Sequence, residues 1–536
     1  MTRPPAGPVA AAARLTWGAL GGFALDDADR ARLAQGLGGV VLFERNVVSA
    51  EQLGALTASI RAVAPGPVRI SMDQEGGHVI RAGDGIATRF PGPMALAATG
   101  SVRLARAVAA ATGRELRALG LDTVLAPVVD VAAVLESAAV GVRAFGDEPG
   151  LVARFGAAMV RGYLEGGVVP VPKHLPGHGR TGEDSHVSQA VVRGSMDALA
   201  RLDLPPFAAA VAAGAPAMMA GHVVCEALDA AAPASLAAAT ASLARGRLRF
   251  DGLLVTDALV MDAITERVTL EEAGVLALAA GMDAAMAIEG QRRVLDGLAA
   301  GIADGRVSAH RVAEALGRAA ALERTAAGLP GTPLGAPLPG AALERHAALA
   351  REVAERSLVL MGDEADMLPL DGRSSVLVVD VTGVGRSPIE GAAGSTGGGG
   401  ARLARSFARA RVLELDRTDA AALLAAEAAV AAARDADVVV LLTRDAFAGP
   451  MDGLPDRLAA TGRPLVHVAL RNPLDLGPPR EGRAGTPTAR IAAWADTPAT
   501  LDAVALALLG RIPFRGRLPV RLPSARHPID ALEMPA

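Results

Sequence analysis

Lysine is almost missing from this chain. Of the 53 lysines and arginines in 536 residues, only Lys173 is lysine. A lone lysine in an arginine-rich chain marks a site where a compact, flexible ammonium does what a planar guanidinium cannot. Cysteine is just as scarce. Cys225 stands alone, which excludes an intramolecular disulfide, fits a reducing compartment, and reads as a small buried packing residue rather than a nucleophile. The chain has no excess of positive charge, its formal net charge being −4, so no global basic field invites nucleic acid. It also lacks an uninterrupted apolar run. The Ala/Gly-rich stretch 4–23 is broken by Arg14 and has only Arg3 before it, and 204–224 contains Pro205, Pro206 and Pro216. Neither reads as a signal sequence or a membrane span. A soluble cytoplasmic protein is expected.

What is present reads as repeated β-α units. Short apolar runs at 16–25, 39–43, 68–72, 123–128, 168–172, 217–220, 253–256 and 283–288 alternate with Ala-rich stretches at helical spacing, such as 51–63, 101–119, 151–165, 195–213 and 270–280. Eight such units in about 300 residues predict a (β/α)8 TIM-type barrel over 1–325. Residues 326–342, AAGLPGTPLGAPLPGAA, read as a Pro/Gly-rich linker. A second α/β pattern over 343–536 predicts a sandwich domain with strands at 375–381, 412–415, 438–443, 465–470 and 491–494 and helices at 419–434 and 499–508. Its glycine run 397–400 lacks the Lys-Ser/Thr of a phosphate loop and reads as a flexible turn.

Polar groups recur where the barrel strands end: Asp73 and Glu75, Asp130, Lys173 and His174, His222, and Asp257. In a barrel those ends share one face, where such enzymes place their sites. The segment KHLPGHGRTGEDSH, 173–186, gathers the lone lysine with three of the nine histidines. His174 and His178 have the i, i+4 spacing of zinc ligands, but Pro176 and Gly177 between them oppose a regular helix. A metal site that also draws on Asp184 and His186 stays open. Beside it stands an acid–base dyad, with Asp184 holding the His186 imidazole two residues away. Asp257, directly after an apolar strand, is placed to attack an electrophilic carbon, whereas Asp262 suits the start of the next helix.

Taken in order, VRISMDQEGGHVIR (68–81), LAPVVDV (125–131), GVRAFGDEP (141–149), KHLPGHGRTGEDSH (173–186), MMAGHVV (218–224) with the later PASL, and LLVTDALVMDAI (253–264) resemble glycoside hydrolase family 3. The KH-x-PGHG…DSH element resembles its β-N-acetylhexosaminidase branch. ERSLVLMGDEADMLPL (355–370) and GRLPVRLP (516–523) resemble the second domain of two-domain members. The resemblance implies Asp257 as nucleophile, His186 as general acid/base with Asp184 its partner, and Asp73, Arg81, Arg143, Lys173 and His174 as sugar-binding positions. It implies retaining hydrolysis through a covalent glycosyl-enzyme, with a histidine in place of the second carboxylate. His78, Ala144 and Arg180 depart from the family pattern, where Arg, Ser and Asp are usual.

The expected activity is an exo-acting β-N-acetylglucosaminidase that removes terminal N-acetylglucosamine from muropeptides or chitin oligosaccharides. The alternative is a phosphorylase in which phosphate resolves the intermediate. A metal-dependent hydrolase using His174, His178 and His186, and a catalytically silent sugar-binding protein, are the readings from other classes. The first reading calls for a small carbohydrate as partner, no cofactor, no metal ion, no nucleic acid and no membrane. The sequence carries no signal of oligomeric state.

Overall fold

The computed structural model describes residues 7–83, 85–364, 366–382, 398–416, 422–449, 451–477 and 487–522. Residues 4–6, Gly397, and 419–421 of the expected helix lie outside them. The described residues form two compact units, one from 7–93 and 101–349, the other from 94–100 and 350–522. Between Gly328 and Pro339 there is neither helix nor strand, and helices Ala309–Ala327 and Gly340–Ser357 bracket this stretch. Four prolines within it lack the N–H that a helix would need.

In the first unit the barrel strands are β1 (Thr16–Ala19), β2 (Gly39–Leu42), β3 (Arg69–Met72), β4 (Thr123–Val124), β5 (Val169–Pro170), β6 (Ala217–Ala220), β7 (Leu253–Ala258) and β8 (Ala284–Ala287). They form one parallel sheet in the order β5-β4-β3-β2-β1-β8-β7-β6. Met219 N donates to Pro172 O at 3.0 Å and Leu175 N to Met219 O at 2.9 Å, which joins β6 to β5 and closes the barrel. All eight expected strands are there, β1, β4 and β5 much shorter than the apolar runs. β1 stops before Gly21 and Gly22, while Pro127, Pro170 and Pro172 remove ladder donors from β4 and β5.

Both faces of each strand are buried, which is why these runs read as continuously apolar rather than alternating. Trp17, Val41, Leu125, Val169, Met219, Val255 and Met286 fill the barrel interior. Ala285 and Ala287 of β8 point the other way and pack on helices Leu270–Ala279 and Gln291–Ala303. Helices begin where a hydroxyl caps them, as Ser49, Ser101, Ser195, Thr269 and Ser308 do. The single helix expected over 195–213 is two, Met196–Leu202 and Leu204–Ala212. Pro205 and Pro206 cannot continue a helix but are suited to start one, so the break falls at Asp203.

The second unit has β9 (Val359–Asp363), β10 (Ser375–Thr382), β11 (Arg409–Asp416), β12 (Val438–Thr443), β13 (Leu465–Ala469) and β14 (Thr488–Ala492). Their order is β9-β14-β13-β12-β10-β11, parallel except that β9 runs antiparallel to β14. Val376, Val378, Val440 and Val468 face the helix Pro498–Leu508 through Leu501, Val504 and Leu508. Leu377, Val379, Val439 and Leu441 face the helix Ala422–Ala433 through its alanines. The architecture is thus an N-terminal (β/α)8 barrel followed by an α/β/α sandwich. β9 was not expected as a strand, and β11 extends beyond 412–415. Both are edge strands; exposed positions dilute the apolar run of β11, whereas β9 follows directly on the helix Gly340–Ser357, so its apolar residues read on from the helix. Gly399 and Gly400 open a short helix, Gly399–Ala404, instead of a flexible turn, and Gly400 N donates to Asp380 Oδ2 at 2.6 Å. No helix among the described residues is long and apolar enough to cross a membrane.

The two ends of the barrel differ in chemistry. At the N-terminal ends of the strands, Asp283 is fully buried and takes Arg245, Arg311 and Arg318 together with the Leu254 N–H. Asp122 holds Arg61 at 2.9 Å and the Ile70 N–H at 3.1 Å. These pairs tie strand starts to helices and line no wide cleft, a stabilising arrangement.

Burial also shapes the second unit's response to acid. His467, on β13, is buried beside Thr443 Oγ1 at 3.0 Å, and desolvation, aided by Arg490, lowers its pKa to about 3. A base whose folded pKa is depressed keeps its full stability above its unfolded pKa and loses it as pH falls below that value. Urea unfolding of the full chain at pH 7 and pH 5 should show wild type losing about 2 kcal/mol more than His467→Gln. An equal loss in both would contradict this assignment.

Candidate active site

The C-terminal ends of the strands surround a cavity of about 590 Å³ whose wall includes Asp73, Arg81, Lys173, His174, His186 and Asp257. Val41, Leu125, Met219 and Met286 of the barrel interior form its apolar part. Of the expected site residues, Arg143 and Asp184 stand behind this wall. Each reaches the cavity only through a partner.

The deepest feature is an ion network around Lys173, which is 1% exposed. Its Nζ lies 2.6 Å from Asp73 Oδ1 and 2.7 Å from Glu75 Oε1. Arg81 Nη2 approaches Asp73 Oδ2 at 3.2 Å. Arg143 grips Glu75 with a fork, Nε to Oε2 at 2.9 Å and Nη2 to Oε1 at 2.8 Å. β3 supplies the carboxylates because the chain leaves it as Asp-Gln-Glu. Gln74 turns inward, its Oε1 accepting from Arg81 N and Ala82 N, so Asp73 and Glu75 are free to meet the cations. Burial alone would raise both carboxylates, but Lys173 and Arg81 hold Asp73 below the usual range, and Arg143 and Lys173 hold Glu75 at about 2. Burial would likewise lower Lys173, and Asp73 and Glu75 outweigh it to raise the ammonium.

The next residue turns toward β4. The Lys173–His174 peptide is cis. His174 Nδ1 bonds Asp130 Oδ2 at 2.7 Å, and Asp130 Oδ1 accepts the backbone N–H of His178 at 2.8 Å. Burial raises Asp130, but His174 and its hydrogen bond overcome that and keep it ionised. The His174 and His178 rings meet edge-on with centroids 6.2 Å apart. Each has one nitrogen committed elsewhere, to Asp130 and to Ser185 respectively. Among the described residues no cluster of three or more His, Cys, Asp or Glu is arranged for a metal ion.

Residues 177–189 form a loop over this end of the barrel. Its base is tightly seated. A side chain at Gly179 would put a Cβ 1.8 Å from Val131 O, and Gly177 has φ +127° with Asp203 Cβ at 2.8 Å from where its own Cβ would stand. Arg180 Nε holds Asp203 Oδ2 at 2.8 Å, and its Nη1 reaches Arg193 O at 2.6 Å. Asp203 is the residue at the helix break, and burial pushes its carboxyl up to about 6 against the pull of Arg180. Further along, the Asp184 carboxylate accepts from the backbone N–H of His186 at 2.9 Å and sits 2.6 Å from its Nδ1. That contact commits Nδ1 and leaves Nε2 for the cavity. Glu183 is exposed.

Asp257 lies within β7 rather than after it, and is partly exposed to the cavity. Burial raises its carboxyl, but His174, His222 and His186 together hold it below the usual range, so it is an anion at neutral pH. His222 is fully buried, bonded to Ser235 Oγ at 2.7 Å and Ala258 O at 2.9 Å, and desolvation lowers its pKa. Asp262 opens the short helix Asp262–Thr265 at the rim. Glu75, Asp130, His178 and His222 complete the site; the sequence marks His178 only as a candidate zinc ligand and assigns the other three no individual role. The strand-end position of Glu75, Asp130 and His222 was their available signal. Of the three departures from the family pattern, His78 and Ala144 are buried and Arg180 anchors the loop.

Removing the ammonium would leave two buried carboxylates short of a cation. Lys173→Met should therefore lower the stability of the full chain to urea by about 3–5 kcal/mol. Lys173→Arg keeps the charge but overpacks the site, at a cost of about 1–3 kcal/mol. Wild-type stability in the Met variant would contradict the network.

Residues 22–322 match the family model of the Glycosyl hydrolase family 3 N terminal domain. A beta-hexosaminidase of Chromobacterium violaceum is 38% identical over 272 residues, which cover 49% of this chain and 75% of that protein. A beta-hexosaminidase of Xanthomonas campestris pv. campestris is 42% identical over 231 residues, 42% of this chain and 69% of that protein. Among solved structures, a glycoside hydrolase family 3 beta-N-acetylglucosaminidase from Paenibacillus sp. str. FPU-7 aligns with a TM-score of 0.88 at 31% identity, over 98% of this chain and 99% of that one. This chain therefore belongs to glycosyl hydrolase family 3 and is a glycoside hydrolase.

Proposed function

We propose that the chain is an exo-acting, retaining β-N-acetylglucosaminidase that releases terminal N-acetylglucosamine from chitin oligosaccharides or muropeptides. The observation that carries this reading is the Asp184–His186 contact of 2.6 Å at Nδ1 on a cavity shared with the anionic Asp257. The relatives' activities agree with it. In the first step the Asp257 carboxylate attacks the anomeric carbon while protonated His186 gives its Nε2 proton to the departing glycosidic oxygen. Asp184 stabilises the imidazolium and fixes the tautomer. In the second step neutral His186 takes a proton from water as the water oxygen displaces Asp257. Asp73, Arg81, Lys173 and His174 bind the sugar hydroxyls, and Arg143 holds Glu75 behind them. The apolar interior closes the cavity floor, so a chain enters by its end, which suits exo action.

A phosphorylase would use the same first step and let phosphate attack the glycosyl-enzyme. A histidine acid/base does not repel that anion. The cavity rim weighs against it, because Glu44, Asp262 and Glu289 stand there against Arg45. Water is therefore the proposed acceptor.

The test is release of 4-nitrophenol from its N-acetyl-β-glucosaminide, with products from chitobiose and a disaccharide muropeptide fragment, each with and without phosphate. Wild type should yield N-acetylglucosamine in both buffers, and Asp257→Asn should lose about ten-thousandfold in kcat. Phosphate-dependent formation of the sugar 1-phosphate would replace the hydrolase by the phosphorylase. Retained activity in Asp257→Asn would overturn both.

A further inference from the structure

Two buried residues in the loop have no task in this mechanism. His178 Nε2 stands 3.0 Å from the Ser185 hydroxyl, and Ser185 is the residue between Asp184 and His186. His178 is 3% and Ser185 2% exposed, and neither lines the cavity. The His178 backbone N–H donates to Asp130 Oδ1 at 2.8 Å, and that carboxylate also holds the His174 ring. A continuous path of hydrogen bonds therefore runs from beyond β4 through Asp130 and His178 into the middle of Asp-Ser-His.

The segment it reaches needs such a tether. Gly182 and Glu183 on one side and Val187 on the other are exposed, so the buried Asp184 and Ser185 form a short stretch flanked by solvent. His178 is suited to be the post. Its backbone is fixed at the loop base, and burial keeps its imidazole neutral, with a pKa lowered to about 4. The ring facing Ser185 thus stays uncharged at neutral and mildly acid pH. We propose that His178 is a positioning residue for the acid/base loop: through Ser185 it fixes the segment carrying Asp184 and His186, and so sets where His186 meets the glycosidic oxygen. This rests on the assignment of His186 as acid/base.

A misplaced acid hurts most where the leaving group most needs a proton. Ser185→Ala and His178→Phe should lower kcat/KM, which reports the first step, by about 10- to 100-fold on a 4-methoxyphenyl N-acetyl-β-glucosaminide. The loss in kcat/KM should be several-fold smaller for the 2,4-dinitrophenyl glycoside, whose leaving group needs little acid help. The double variant should be no slower than the slower single one. His178→Gln, which keeps a polar nitrogen near the Nε2 position, should recover part of the loss. Ser185→Ala removes a single oxygen, so it serves if His178→Phe does not fold. His186→Ala is the control: an equal loss in kcat/KM on both glycosides there would defeat the acid/base assignment itself. If that control depends on the leaving group, two results for Ser185→Ala would overturn the role of His178 alone. One is wild-type kcat/KM, and the other is an equal loss in kcat/KM on both substrates.

Discussion

An ammonium with almost no solvent around it holds this site together. Lys173 comes from the end of β5, its two carboxylate partners from the end of β3, a hundred residues earlier. Charges taken out of water are costly unless each finds a counter-charge and hydrogen bonds. Here Asp73 and Glu75 each receive Lys173 and one arginine. The arrangement fixes the ends of the two strands, keeps both carboxylates ionised and leaves Asp73 on the cavity wall. A guanidinium needs a planar fork of acceptors, whereas Nζ meets two oxygens from different side chains at 2.6 and 2.7 Å. That geometry explains why lysine persists at one position of an arginine-rich chain.

The barrel uses the same chemical elements differently at its two ends. At the strand starts, Asp122 and Asp283 are consumed by arginines and backbone N–H groups. At the strand ends, Glu75, Asp130 and His222 are likewise engaged, but two groups are only partly consumed. Asp257 keeps an open side toward the cavity, and the Asp184–His186 contact leaves a ring nitrogen over for chemistry. Fully compensated groups stabilise, and groups left partly uncompensated in a low-dielectric cleft are the ones able to react.

Much of this was legible in the residues. The eight apolar runs found eight strands, and a polar residue at the same phase of several units marked the reactive face. Asp184 and His186 lie two apart, so their contact is local and could be read directly. The failures have local physical causes. Prolines shortened β4 and β5 and split the helix at Asp203, exposure on the sheet edge hid the ends of β11, and β9 was masked by the helix that runs straight into it. Glu75, Asp130 and His178 were visible as polar residues, but their tasks depend on partners distant in sequence.

Local order along the chain carries the repeating β-α pattern, the position of each strand-end group, and the Asp-x-His spacing of the proposed acid/base pair. All of these follow from periodicity, turn chemistry and neighbours a few residues apart. That Lys173 meets Asp73 and Glu75, that Arg143 backs Glu75, and that Asp130 ties His174 to the loop through His178 emerges in the folded barrel alone. Those pairings depend on the order and register in which the barrel closes. Register brings together groups tens to a hundred residues apart, and no local pattern records it.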